Sequence, residues 1–442
     1  MTSLTIKGGT LVSALGEHRA DLVVEDGHVA RVGAADQSGE VVDASGLLVL
    51  PGMVDSHVHL MDPGPIERED FPSGTRAAAA RGVTTVVEHT HAHPVRSVAD
   101  LEEKRAHLVG RANVDHALAA HVWPDTIPRI RELAGSGITF FKIFTCDTHG
   151  VPGLDTAQLS TALDAIGDVG GTALIHNEDQ ALTAEAERRL RADRRLDPGL
   201  LIEWRSRDAE LVAVATTAAV ALESGARVSF AHVSHPAVLD VITFFRTLGA
   251  NLAAEACPQY FALDEDEVVE QGALRKFTPP ARIRNDEERS AMWRAVAEGR
   301  FSFFSTDHAP STLAQKTAGD FWDAPFGLPG LDTTLPFLID AALAGRMTMS
   351  EVVRLYATGP AAWYRLPKGS LDVGADADLV LIDPAGSWTV DDTDIISKAG
   401  WSPYSGRTFR GRVVATFLRG TEIARDGVAH DRRDGRFVVP AR

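Results

Sequence analysis

Six residues of this chain have side chains suited to holding cations and moving protons, and each lies in or at the end of an apolar run. His57 and His59 finish VLPGMVDSHVH, Lys142 lies in ITFFKIF, His176 is near the end of TALIHN, His232 is near the end of RVSFAHV, and Asp307 ends FSFFSTD. Residues two apart on a strand project to one face, so His57 and His59 can present two imidazoles to a single cation. Asp55 shares that face by the same count. Two unrelated core histidines would give the same spacing, and His176 or His232 taken singly reads as a satisfied core or surface residue. Their recurrence at successive strand ends is what argues for one shared site.

Lys142 is the most informative of the six. Alternation puts Phe140, Lys142 and Phe144 on one face of their strand, so the amine is expected to be buried. An unpaired buried ammonium is costly and gives up its proton. A neutral amine beside two divalent cations can take up carbon dioxide as a carbamate, an anionic oxygen ligand able to bridge both. The alternative is a lysine that snorkels to the rim or pairs with a carboxylate. Asp307 can bind a cation, accept a proton from water whose pKa the cation lowers to about 7, and pass it to a departing amide nitrogen. His308 would point away from Asp307 on a strand and takes no role in this scheme.

These residues need a scaffold that brings distant segments to one rim. Eight apolar runs (VLPGMVDSHVH, GVTTVVEH, VDHALAAHV, ITFFKIF, TALIHN, RVSFAHV, NLAAEAC and FSFFSTD) alternate with helical segments such as PSGTRAAAARG and EERSAMWRAVAEG. Eight βα units point to a closed parallel barrel with its site at the C-terminal ends of the strands. Both ends of the chain instead read as short strands joined by tight turns. The expected fold is an α/β protein: a distorted (β/α)8 barrel over residues 51–366, with a small β-sandwich built from residues 1–50 and 367–442. A chain of 442 residues, 44% hydrophobic, is long enough for that core. Its net charge of −17, with no basic cluster, excludes nucleic acid as an expected partner. No apolar run approaches the ~20 residues of a membrane span. Cys146 and Cys257 are the only cysteines, which with the absence of a signal-like N-terminus points to the cytoplasm.

The chain resembles the amidohydrolase superfamily, in its cyclic-amide branch of dihydroorotases, allantoinases, hydantoinases and dihydropyrimidinases. The resemblance runs through PGMVDSHVHLMDPG, DFPSGTRAAAARGVTTVVEH, FFKIF, ALIHNEDQ, AHVSHP, EACPQYF, KFTPPAR, STDHAP, APFGLPGLDTTLP, KGSLDVGADADLVLIDP and SPYSGRTFRGRVVATFLRG. It implies that His57 and His59 are the metal-binding pair and Lys142 the carboxylated bridging lysine. It likewise makes His176 and His232 the second-metal histidines and Asp307 the metal-binding general base. The cofactor it implies is a pair of divalent ions, most often zinc, with manganese or cobalt able to substitute. By analogy the protein is a homo-oligomer, a tetramer or dimer. Thr278 and Gly327 match positions whose backbone groups hold the cyclic amide.

The departures narrow the substrate. Dihydroorotases carry an Arg two residues after the second His, where this chain has Met61. The Asn expected shortly after the second strand is absent, and His91 and Ala92 stand in that neighbourhood. Asp147 or its neighbours replace the substrate-facing Tyr of hydantoinases. His89, His91 and His93 recur with period two; they read as a polar rim loop, as pocket residues, or as an extra metal site. Residues 147–154 form a Gly- and Pro-containing loop able to act as a lid. The expected activity is hydrolysis of the ring amide C–N bond of a small ureide, hydantoin, dihydropyrimidine or imide. Action on a linear amide or exocyclic amine, a dihydroorotase, and a non-catalytic scaffold are the alternatives.

Overall fold

The computed structural model describes residues 3–34 and 39–441; the ends of the chain and residues 35–38, all within the expected sandwich segments, lie outside the described residues. Eight strands form the barrel in chain order: β1 (Met53–Val58), β2 (Val83–Glu88), β3 (Asp115–Leu118), β4 (Phe141–Phe144), β5 (Thr172–His176), β6 (Arg227–Phe230), β7 (Leu252–Ala256) and β8 (Phe303–Phe304). Each pairs in parallel with its neighbour, β3 reaching β4 through the short strand Ala120–His121. All residues of β1 to β5 are buried, as befits strands covered by helices outside and packed side chains inside. The ring closes where His308 bridges Val58 and its carbonyl accepts the amide of His59 at 2.8 Å. His308 thus acts through its backbone, while its ring bonds Glu69 and the amide of Gly330.

The helix Phe71–Ala80 shows how local sequence sets the outer layer. Asp70 caps it, Ser73 completes the reciprocal capping box, and Pro72 occupies the first turn. The same Asp70 carboxylate holds Lys398 of the C-terminal segment at 2.6 Å.

The small domain is a pair of sheets made from both chain ends. Leu48–Pro51 pairs antiparallel with Leu379–Thr389, so the strand that leads into the barrel is hydrogen-bonded to the strand that follows it. That pairing belongs to a seven-stranded sheet facing a four-stranded one. Leu4, Ile6, Leu22 and Val24 pack against Val49, Leu379, Leu381 and Phe417 between them. The α/β class, barrel and two-ended sandwich expected from the sequence are the architecture observed.

Candidate metal centre

At the C-terminal mouth of the barrel His57, His59, Lys142, His176, His232 and Asp307 line one cavity of about 380 Å³. They form two adjoining groups. In the first, Asp307 Oδ1 lies 3.1 Å from His57 Nε2 and 3.5 Å from His59 Nε2, and Lys142 Nζ lies 3.4 Å from the same His57 nitrogen. In the second, His176 Nδ1 lies 3.0 Å from His232 Nε2. The rings of His57 and His232 are 5.6 Å apart and connect the two.

Carboxylates behind the histidines fix their tautomers. Glu255 accepts from His57 Nδ1 at 2.8 Å and from the His232 amide at 2.9 Å. Glu178 accepts from His176 Nε2 at 2.8 Å and from Thr278 Oγ1 at 2.7 Å. Each bond puts the ring proton on the outer nitrogen and leaves the inner lone pair for a cation. Burial raises the Glu178 carboxyl, but Arg205, His176 and Arg282 outweigh it and hold the group at about 2. Neither glutamate stands out in the sequence; the available signal is an acid two residues after His176 and one inside the apolar run of β7.

Backbone geometry at the mouth is unusual. Met61 (φ 55°), His149 (φ 56°), His232 (φ 38°) and Asp307 (φ 51°) all adopt left-handed conformations that non-glycine residues rarely take. Such strain persists where surrounding contacts over-determine the site. A bulge in β1 between Asp55 and Val58 breaks the alternation expected there. The Asp55 carboxylate is consequently turned away from the cation ligands to Tyr356 Oη (2.7 Å) and the amide of Thr306 (3.2 Å).

The donor set suits divalent cations. Burial lowers His57 and His232 well below the usual imidazole range, keeping both neutral and able to coordinate. Burial also brings Lys142 down to about 8 against the opposing pull of Glu255 and Asp307, easing the loss of its proton. The Nδ1 atoms of His59 and His232 are buried without a hydrogen-bond partner among the described residues. Neutral imidazoles, a carboxylate and an amine able to become an anionic ligand are a fitting set for such ions.

Around these residues, Met61, His91, Thr278 and Gly327 line the cavity with Phe144, His149 and Phe326. Gly327 has φ 110°, and a Cβ there would fall 2.2 Å from the Ala309 carbonyl, so only glycine fits. Asp147 is not brought to the cavity. It accepts from the Gly153 amide at 2.8 Å and the Asp147 amide donates to Gln180, fastening the loop that carries His149 inward. His89 is buried at the barrel wall, whereas His93 is half-buried outside the lining. Arg68 and Lys276 reach the cavity, yet their donors go to backbone carbonyls of the wall: Pro310 and Phe326 for Arg68, Phe321 and Trp322 for Lys276.

A parallel barrel that gathers buried imidazoles, an amine and a carboxylate at its mouth is the architecture of a metal-dependent hydrolase. The amidohydrolase family matches residues 48–423. An allantoinase of Rubrobacter xylanophilus is 35% identical over 448 aligned positions, covering 99% of this chain and 98% of that protein. The allantoinase of Escherichia coli K12 is 32% identical, covering 95% and 94%. Among solved structures, the L-hydantoinase (dihydropyrimidinase) of Arthrobacter aurescens is similar with a TM-score of 0.93 at 28% identity, over 99% of this chain and 100% of that one. The chain belongs to the amidohydrolase family, in its cyclic-amide branch, and that membership implies a divalent-cation site. None of its described helices is long and apolar enough to cross a membrane.

Proposed function

We propose that this cyclic-amide hydrolase opens the ring amide C–N bond of a small neutral ureide, with the hydantoin ring of allantoin as the first candidate. His57, His59, Lys142 and Asp307 would hold one cation; His176, His232 and a carbamate on Lys142 would hold a second, with zinc the best match to these donors. The observation that carries the reading is Lys142: a buried amine with no salt bridge among the described residues, 3.4 Å from His57 and lowered by burial. The free amine attacks carbon dioxide, forming an N–C bond and losing one proton to become the carbamate. When bound, the cations polarise the scissile carbonyl and make water acidic.

The chain's own residues do the rest. Asp307 accepts the proton of the attacking water and delivers it to the ring nitrogen as the C–N bond breaks, giving an open-chain N-carbamoyl acid. Thr278, Gly327 and Met61 line the space the ring would occupy, and Phe144 and Phe326 in the same lining would keep water from its faces. Met61 stands where dihydroorotases carry an Arg to pair with a carboxylate, which favours an uncharged ring over a carboxylated one. The names of two relatives that this chain matches over nearly their whole length, both allantoinases, support the hydantoin ring. The two cysteines are buried and unpaired, which supports a reducing compartment and so the cytoplasm.

The test is ring opening of allantoin, hydantoin, dihydrouracil and dihydroorotate by protein loaded with zinc, manganese or cobalt, alongside Asp307→Asn. Turnover is expected on allantoin foremost and not on dihydroorotate, with the variant slower by at least about 100-fold. Incorporation of isotope-labelled bicarbonate, followed by NMR, reports the carbamate. Absence of ring opening with every metal would sink the reading.

A further inference from the structure

His89 lies outside the six-residue donor set and outside the cavity lining, yet the barrel sets its ring against those of His57 and His59. It follows β2 directly, and its amide donates to the Val58 carbonyl at 3.2 Å, the residue between His57 and His59. That register sets its ring 4.5 Å from the ring of His57 and 4.6 Å from that of His59. One nitrogen from each of the three rings can be chosen so that all lie within 4.8 Å of one another. His89 is 1% exposed, and neither of its ring nitrogens has a hydrogen-bond partner among the described residues. A buried polar atom left unpaired is destabilising, so an imidazole in this position calls for a partner that the surrounding described residues do not supply. Its edge-on contact with Phe140, at 5.4 Å, satisfies neither nitrogen.

We propose that His89 is a third imidazole ligand of the cation held by His57 and His59. The inference rests on the two-cation reading above and adds a donor to it. Imidazole suits zinc, cobalt and nickel, whereas manganese favours carboxylate and water. A third imidazole therefore biases this position toward the former metals and holds them more tightly.

The experiment uses purified full-length protein loaded with zinc or cobalt, compared with His89→Met and His89→Gly. Metal content is followed during competition with a chelator, and the visible spectrum of the cobalt form is recorded. Circular dichroism checks that each variant folds. The expected result is that the variants release one of two cations at a chelator concentration at least about tenfold lower than the wild type. The cobalt spectrum changes, and added imidazole restores both affinity and spectrum in His89→Gly. Folded variants with unchanged affinity and spectrum would overturn the assignment while leaving the two-cation reading intact. Wild-type protein that holds no cation tightly would overturn both.

Discussion

An imidazole coordinates through a lone pair, so its usefulness depends on where its one proton is kept. Glu255 keeps that proton on Nδ1 of His57 and at the same time accepts the His232 amide, touching both groups of the centre with a single oxygen, Oε1. Its other oxygen is buried without a partner among the described residues, and burial pushes the carboxyl above its usual range. An ionised Glu255 is thus costly in the metal-free protein and useful in the loaded one. Glu255→Gln keeps an acceptor oxygen but removes the charge that makes His57 a better donor. The variant is expected to bind cations about 10- to 100-fold more weakly, while its metal-free form unfolds at no lower temperature than the wild type. Chelator competition and thermal unfolding of the metal-free proteins measure the two effects separately. A parallel loss of both would mean that Glu255 is only a packing residue.

Elements that bury both faces hide their orientation in the sequence. The eight barrel strands were legible because short apolar runs alternated with Ala-rich helices, and the two-ended sandwich because its strands alternate between polar and apolar positions. Inside the barrel that alternation is lost, since inward and outward positions are both apolar. The bulge that re-aims His57 and turns Asp55 away leaves no mark in DSHVH. In the sequence His89 reads as part of a polar rim loop, a pocket residue or an extra metal donor; its pairing with Val58, a contact across 31 residues, is what buries it. The loop after β4 has the same character. Sequence put Asp147 near the substrate, whereas in the fold Asp147 ties the loop's two ends and His149 points into the cavity. Asp147→Ala removes an acceptor for the Gly153 amide, a bond worth about 1 kcal/mol. The expected outcome is a KM several-fold higher with metal content unchanged, read from steady-state kinetics and elemental analysis. A fall in kcat at constant KM would instead place Asp147 in the chemistry.

Barrel and sandwich are locked together by contacts that span nearly the whole chain. Lys368, just after the barrel, is surrounded by Asp115 of β3 (2.5 Å), Asp376 (2.6 Å) and Asp378 (2.9 Å), with Arg419 also on Asp115 (2.5 Å). This acidic trio is answered by the ammonium and the guanidinium, which makes it a clamp. Beside it the C-terminal tail runs along β3: the His116 amide donates to Arg436 O, the Val438 amide to His116 O, and the His116 ring packs between Phe71 and Phe437. Burial lowers the His116 imidazole to about 4, overcoming the nearby charges of Asp115 and Glu88. In the unfolded chain the same group titrates near 6.5. Between those values the unfolded chain binds a proton that the folded one refuses, so acidification favours unfolding. The contribution of neutral His116 is complete above pH 6.5 and is lost as the pH falls to about 4. The difference amounts to about 3 kcal/mol over that interval, at 1.36 kcal/mol per pH unit. His116→Gln removes this titration. Its unfolding free energy should therefore fall less steeply than that of the wild type between pH 6.5 and 4, by up to one proton's slope, in guanidinium unfolding of the metal-free proteins. Superimposable pH profiles would show that the tail leaves His116 open to water and does not seal β3.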